Sequence, residues 1–131
     1  MTVLKDKGLY LLHFISQLKE METDSWMKKY IFPGGVIPSL REIVSSMGNN
    51  DFHILDIENL RRHYEKTLLC WADNFHNHLD KISGMFDEKF IRMWDLYLNA
   101  CAANFHVGGI DLHQILVTKG VNNELPLTRW Y

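Results

Sequence analysis

The sequence predicts an α/β fold, with three strands and several helices that form part of a larger mixed sheet. Three observations carry that expectation. The run Gly8-Leu-Tyr-Leu-Leu-His-Phe-Ile-Ser16 is short and almost wholly apolar, as in a strand buried on both faces. From Tyr64 to Leu79 the large apolar residues recur at three- and four-residue steps, the period of a helix packed along one face. A further apolar run, Ile110 to Thr118, follows the pair Gly108-Gly109. A buried strand needs neighbours on both edges, and nothing before Gly8 supplies one. The chain therefore reads as the back end of a larger α/β domain.

Each element has its own signal. Gly8 to Ser16 is the first strand, followed by the charged stretch Gln17 to Asp24. Trp26 to Phe32 is one or two helical turns, and Pro33-Gly34-Gly35 is a turn. Ser39 is a good N-cap, and Glu42 three residues later completes a capping box, so a helix begins at Pro38-Ser39. Gly48-Asn49-Asn50 ends it as a loop. Phe52 to Ile57 is the second strand, and Asn59 to His63 a connector. The long helix then presents Tyr64, Leu68, Trp71, Phe75 and Leu79 on one face, until Ser83-Gly84 breaks it. Asp87 caps the last helix, whose apolar face holds Phe90, Met93, Trp94, Tyr97, Cys101 and Phe105. Ala100, Ala102 and Ala103 permit close packing on its flank. The last strand follows this long helical excursion and is placed to close the sheet as an antiparallel partner. A tail from Asn122 to Tyr131 turns from polar to aromatic after Pro126.

Composition narrows the function. The chain has 131 residues, enough for a core, and its 47% hydrophobic and 12% aromatic content excludes a disordered chain. A net charge of −2 provides no global field for nucleic acid. The basic pairs Lys28-Lys29 and Arg61-Arg62 read as solvated surface. Cys70 and Cys101 sit in helical segments and suggest no disulfide framework, so a reducing, cytoplasmic setting is expected. No apolar run approaches the roughly 20 residues that span a bilayer. Seven histidines invite a metal, but there is no H-E-x-x-H and no C-x-x-C, and His76 and His78 are two apart on a helix. There is also no G-x-S-x-G, no phosphate-binding loop, and no G-x-G-x-x-G after a strand.

Two residues stand out. His13 lies where the first apolar run gives way to Ser16 and Gln17, and ligands of open α/β sheets sit beyond the carboxyl ends of strands. It is either a donor or proton carrier there, or a core histidine satisfied by a carbonyl. Tyr64 opens the long helix. It is either a core aromatic, or one that anchors its ring and keeps its hydroxyl for a ligand.

The residues also carry a resemblance. Gly8-Leu-Tyr-Leu-Leu-His-Phe-Ile15, Trp26-Met-Lys-Lys-Tyr-Ile-Phe-Pro-Gly-Gly35 and Pro38-Ser39 are similar to the cyclopropane-fatty-acyl-phospholipid synthase family. So are Glu58-Asn59, His63-Tyr64 with Thr67-Leu68 and Trp71, and Phe90-Ile-Arg-Met-Trp94. Tyr97-Leu-Asn-Ala-Cys-Ala-Ala103 with Phe105, and Ile110-Asp-Leu-His-Gln114, complete a collinear match from about Lys5 to Leu127. The mycolic acid cyclopropane synthases are a similar sister branch.

The resemblance implies one partial domain over residues 1–131, the C-terminal portion of a class I methyltransferase fold of Rossmann-like type. It implies transfer of a methyl group from S-adenosylmethionine to the cis double bond of a phospholipid acyl chain, with proton loss closing a cyclopropane ring. It also implies a bicarbonate base, held by residues that match His13, Ile15 through its backbone, and Tyr64. The family's glycine-rich cofactor turn, and the cysteine and glutamate of its bicarbonate site, have no match here. Alone, this chain is therefore expected to hold no cofactor and to be inactive. Expected partners are phospholipid acyl chains at the membrane surface, with the protein peripheral to it, and either further copies of the chain or a companion N-terminal portion. A non-catalytic lipid- or partner-binding module descended from the same family is the other reading.

Overall fold

The computed structural model describes residues 4–128. Trp130-Tyr131, the aromatic end of the tail, lies outside the described residues. The order is β1 (Leu9–Ser16), α1 (Ser25–Tyr30), α2 (Leu40–Asn49), β2 (Phe52–Asn59), α3 (Arg61–His76), α4 (Leu79–Ser83), α5 (Glu88–Val107) and β3 (Asp111–Lys119). The chain divides into two compact units, one of Met1–Asn59 with His113–Tyr131 and one of Leu60–Leu112.

The first unit is a three-stranded sheet, order β1-β3-β2, with β2 antiparallel to β3. β1 also runs antiparallel to β3. Lys7 N–H donates to Lys119 O at the start of β1, and Ser16 meets His113 at its end. The ladder between β2 and β3 shifts register between Ile54 and Asp56, which leaves Leu55 as a bulge. On one face of the sheet Met47, Ile115 and Val117 form a buried cluster, with Leu12, Phe14, Ile43, Val44, Phe52 and Ile54 packed on it. α2 covers this face. Its start is the expected capping box: Ser39 Oγ accepts from Glu42 N–H, and the Glu42 carboxylate accepts from Ser39 N–H at 2.8 Å. Loss of such a cap costs about 1 kcal/mol. The helix runs through Gly48 and Asn49, which the sequence reads as loop. Nothing crowds Gly48, and the chain turns only at Asp51, in the left-handed region.

The second unit is a helical pair, α3 against α5, with α4 at one end. Leu68, Ala72 and Phe75 of α3 and Leu98, Cys101, Ala102 and Phe105 of α5 are its buried residues. Asp87 caps α5 by accepting from Phe90 N–H, and Gly108 ends it with φ 77. Of the three expected packing alanines only Ala102 is buried; Ala100 and Ala103 face outward. Helix α3 stops at His76, so Leu79 belongs to a separate short helix.

One expectation is overturned. The first strand reads as wholly buried, yet Leu9, Tyr10 and Leu11 are 47%, 43% and 53% exposed. Among the described residues the strand has one hydrogen-bonded neighbour in the sheet, and of its residues Leu12 and Phe14 pack on the buried cluster under α2.

Candidate functional site

β1 sets the orientation of two of the three expected site residues. Side chains alternate along a strand, so His13 and Ile15 share one face, and Phe14 and Ser16 the other. Phe14 packs on the α2 side. His13 is exposed and Ile15 half-buried. His13 is thus no satisfied core histidine. The main chain alternates too. Gly8 C=O accepts from Lys119 N–H, so every second residue from Gly8 turns its peptide groups toward β3, and the N–H groups of Leu11, His13 and Ile15 point away from it. Gln17, two further along, confirms the phase: its N–H donates to Pro38 O at 3.0 Å, on the outer edge.

The carboxyl end of β1 is held by polar contacts that the sequence did not single out. Ser16 Oγ lies 2.7 Å from His113 Nδ1, a buried contact whose donor depends on the ring tautomer. Gln17 Nε2 donates to Ile37 O at 2.7 Å and to Met21 O at 3.1 Å. Ser39, also buried, donates its hydroxyl to Glu20, which accepts from Arg41 as well. These donors, the Ser39 hydroxyl first, hold the Glu20 carboxyl below its ordinary value. The available signal was phase: His113 falls on the same strand face as Ile115 and Val117, where a polar side chain is unexpected.

Tyr64 belongs to the helical unit. It lies in the first turn of α3, and its N–H donates to Leu60 O. Its ring packs edge-on to Phe105 at 5.1 Å and to Trp71 at 5.9 Å. Burial, and then the neighbouring Cys101, raise the phenol above its ordinary pKa. The hydroxyl is therefore a proton-bearing donor at neutral pH. Tyr97 and Cys101, which the sequence places on the apolar face of the last helix, form a second polar pair one turn apart on α5. Burial pushes the Cys101 thiol up to about 11, partly offset by its hydrogen bond with Tyr97. Burial, with Cys101 and Tyr64 adding to it, pushes Tyr97 up to about 12.

The three expected site residues are thus divided, His13 and Ile15 in the sheet unit and Tyr64 in the helical one. In the sheet unit the His13 ring and the Ile15 edge N–H are donors, and in the helical unit the Tyr64 phenol is one. Among the described residues no three His, Cys, Asp or Glu side chains gather to hold a metal ion. No helix among them is long and apolar enough to cross a membrane.

Comparison with known proteins adds the following. The mycolic acid cyclopropane synthetase family profile matches residues 1–115. The cyclopropane-fatty-acyl-phospholipid synthase of Escherichia coli strain K12 is 39% identical over 127 residues, covering 96% of this chain and 33% of that protein. The tuberculostearic acid methyltransferase UfaA1 of Mycobacterium tuberculosis is 40% identical over 106 residues, covering 79% of this chain and 25% of that protein. The solved structure of the cyclopropane synthase MmaA2 from Mycobacterium tuberculosis matches with a TM-score of 0.83 at 26% identity, covering 89% of this chain and 46% of that one. The mycolic acid cyclopropane synthase CmaA1, solved with SAH and CTAB, matches at 0.78 and 26% identity, covering 86% and 44%. The chain spans about a third of the length of the E. coli relative. The expected fold class, α/β with a three-stranded sheet of the methyltransferase type, is borne out.

Proposed function

The chain belongs to the mycolic acid cyclopropane synthetase family, and we propose that it is the C-terminal portion of a lipid-modifying methyltransferase acting on the cis double bond of a phospholipid acyl chain. The observation that carries the reading is 39% identity to the E. coli cyclopropane-fatty-acyl-phospholipid synthase across 96% of the chain. On this reading the enzyme is cytoplasmic and works at the membrane surface, and its partners are acyl chains and the portion of the domain that carries the cofactor turn.

The residues fit a bicarbonate ion by donor chemistry. His13 offers a ring N–H from an exposed strand face, Ile15 a main-chain N–H turned away from β3, and Tyr64 a phenol that burial keeps protonated. They do not fit S-adenosylmethionine unaided, because none of the three strands opens into a glycine-rich turn. In the complete domain S-adenosylmethionine would supply the methyl group, and a bicarbonate held by His13, Ile15 and Tyr64 would serve as the base for the proton lost on ring closure. His13, Ile15 and Tyr64 hold that base and keep it aimed, which lowers the barrier through preorganised hydrogen bonds.

The test is a hybrid in which this chain replaces the 127 matched residues of the E. coli synthase. Cyclopropane formation from unsaturated phospholipid vesicles, followed by gas chromatography of the acyl chains, is the expected result. His13→Gln and Tyr64→Phe are expected to cut turnover by about a hundredfold, typical of losing one preorganised donor, with the fold intact by circular dichroism. A folded hybrid that binds vesicles and makes no product would favour the non-catalytic lipid-binding module instead.

A further inference from the structure

His113 and Ser16 form a buried polar pair to which the proposed reaction gives no task. His113 is 6% exposed and Ser16 0%. A polar side chain at 113 is costly where it stands. Ile115 and Val117 lie on the same strand face, in the apolar cluster under α2, and an aliphatic residue at 113 would extend that face with no polar atom to satisfy. A buried imidazole is stable there only with partners for its nitrogens. The Ser16 hydroxyl at 2.7 Å from Nδ1 is one of them.

What the pair supplies is geometric. His113 stands opposite Asn59 in the ladder between β2 and β3, and its ring lies 6.2 Å from that of Phe14 on β1. The His113 main chain therefore pairs with the end of β2 while its side chain meets Phe14 and Ser16 at the end of β1. Ser16 immediately follows Ile15, and Gln17 is bonded to Pro38, Ile37 and Met21 on the outer side. The end of β1 is tied on one edge through Ser16 and on the other through Gln17. Between those ties and the exposed strand face lie Ile15 and His13.

We propose that His113 is a positioning residue: through the Ser16 hydroxyl it fixes the Ile15 main chain and the His13 side chain in the orientation that holds a small oxyanion. The proposal rests on the reading of His13 and Ile15 given above. Ser16 lies on the strand face opposite His13, so the effect passes through the backbone and neither Ser16 nor His113 meets the anion.

Two measurements test it. In the full chain, amide hydrogen exchange is followed residue by residue by NMR. Ser16→Ala is expected to speed exchange at Ser16 and Gln17 about tenfold, the scale of one lost buried hydrogen bond, while Leu68 in the helical unit is unchanged. Ser16→Thr, which restores a hydroxyl, returns the slow rates. In the hybrid synthase, Ser16→Ala is expected to lower kcat about tenfold at unchanged lipid KM, and added bicarbonate is expected to recover part of the rate. A purely structural residue would show no such recovery. If Ser16→Ala leaves either the exchange rates or the turnover at wild-type values, the positioning proposal is overturned and the functional reading stands. If His13→Gln keeps full turnover, the functional reading falls and the positioning proposal with it.

Discussion

Arg61 is the perturbation whose cost the helical unit specifies most fully. It is the first residue of α3, where a cation faces the positive end of its own helix. Its guanidinium reaches instead to the last turn of α5. Nη1 donates to the Phe105 carbonyl and, at 2.9 Å, to the His106 carbonyl. Nε lies 3.7 Å from Asp111 Oδ1. The same charge that disfavours the start of α3 thus adds a donor to carbonyls at the end of α5, where Phe105 O otherwise accepts only at 3.4 Å from the Gly108 N–H. A hydrogen bond from a charged donor contributes roughly 1.5–3 kcal/mol. The His106 contact is exposed and counts for less, and the ion pair adds about 0.5 kcal/mol. Arg61→Met, which keeps the aliphatic stem, is therefore expected to cost about 2–3 kcal/mol. Arg61→Lys should recover about half, since a point charge cannot fork between two carbonyls. Urea unfolding followed by the fluorescence of Trp71 and Trp94 measures both, with the slope m unchanged. A loss below about 0.5 kcal/mol for Arg61→Met would show that water replaces the guanidinium at no cost, and the reasoning fails.

Three further outcomes are expected. Cys101 is raised from 9.0 to about 11 and Tyr97 from 10.0 to about 12, so their contribution to stability is complete below pH 9 and is lost as pH rises toward 12. The slope cannot exceed about 1.4 kcal/mol per pH unit per group and is reduced by partial exposure; Tyr97→Phe with Cys101→Ala should flatten the alkaline limb of denaturation curves, and an unchanged limb refutes the assignment. The exposed Leu9, Tyr10 and Leu11 on a strand with one sheet neighbour should make the isolated chain self-associate, and a 15.4 kDa monomer in sedimentation equilibrium at about 10 μM would contradict this. The isolated chain should not bind S-adenosylmethionine, and a calorimetric one-to-one complex tighter than about 100 μM would sink that expectation.

Local chemistry was legible wherever a few adjacent residues decide the outcome. The Ser39–Glu42 capping box, the Asp87 cap and the left-handed Gly108 all stand where the sequence places them, because each depends on one hydrogen bond or one backbone angle within a turn. Strand ends were less legible. β2 runs to Asn59, beyond the expected Ile57, because Glu58 and Asn59 pair with Gln114 and His113 of a strand far along the chain. Gly48 and Asn49 read as loop by composition, yet they complete α2, since Gly48 meets no crowding and the helix is held by Met47 in the core. The candidate donors His13, Ile15 and Tyr64 came from the resemblance rather than from periodicity, which left both His13 and Tyr64 open.

The sequence by itself determined the α/β class, the order of the strands and of the longer helices, and the family, because apolar period, caps and collinear motifs are properties of neighbouring residues. Only the tertiary structure decided that β3 lies between β1 and β2 and that His113 closes on Ser16. Each of these joins residues through packing that no local pattern encodes. Burial was decided there as well. An apolar strand reads the same in any sequence, and whether Leu9 and Leu11 meet water depends on what lies beside them in space.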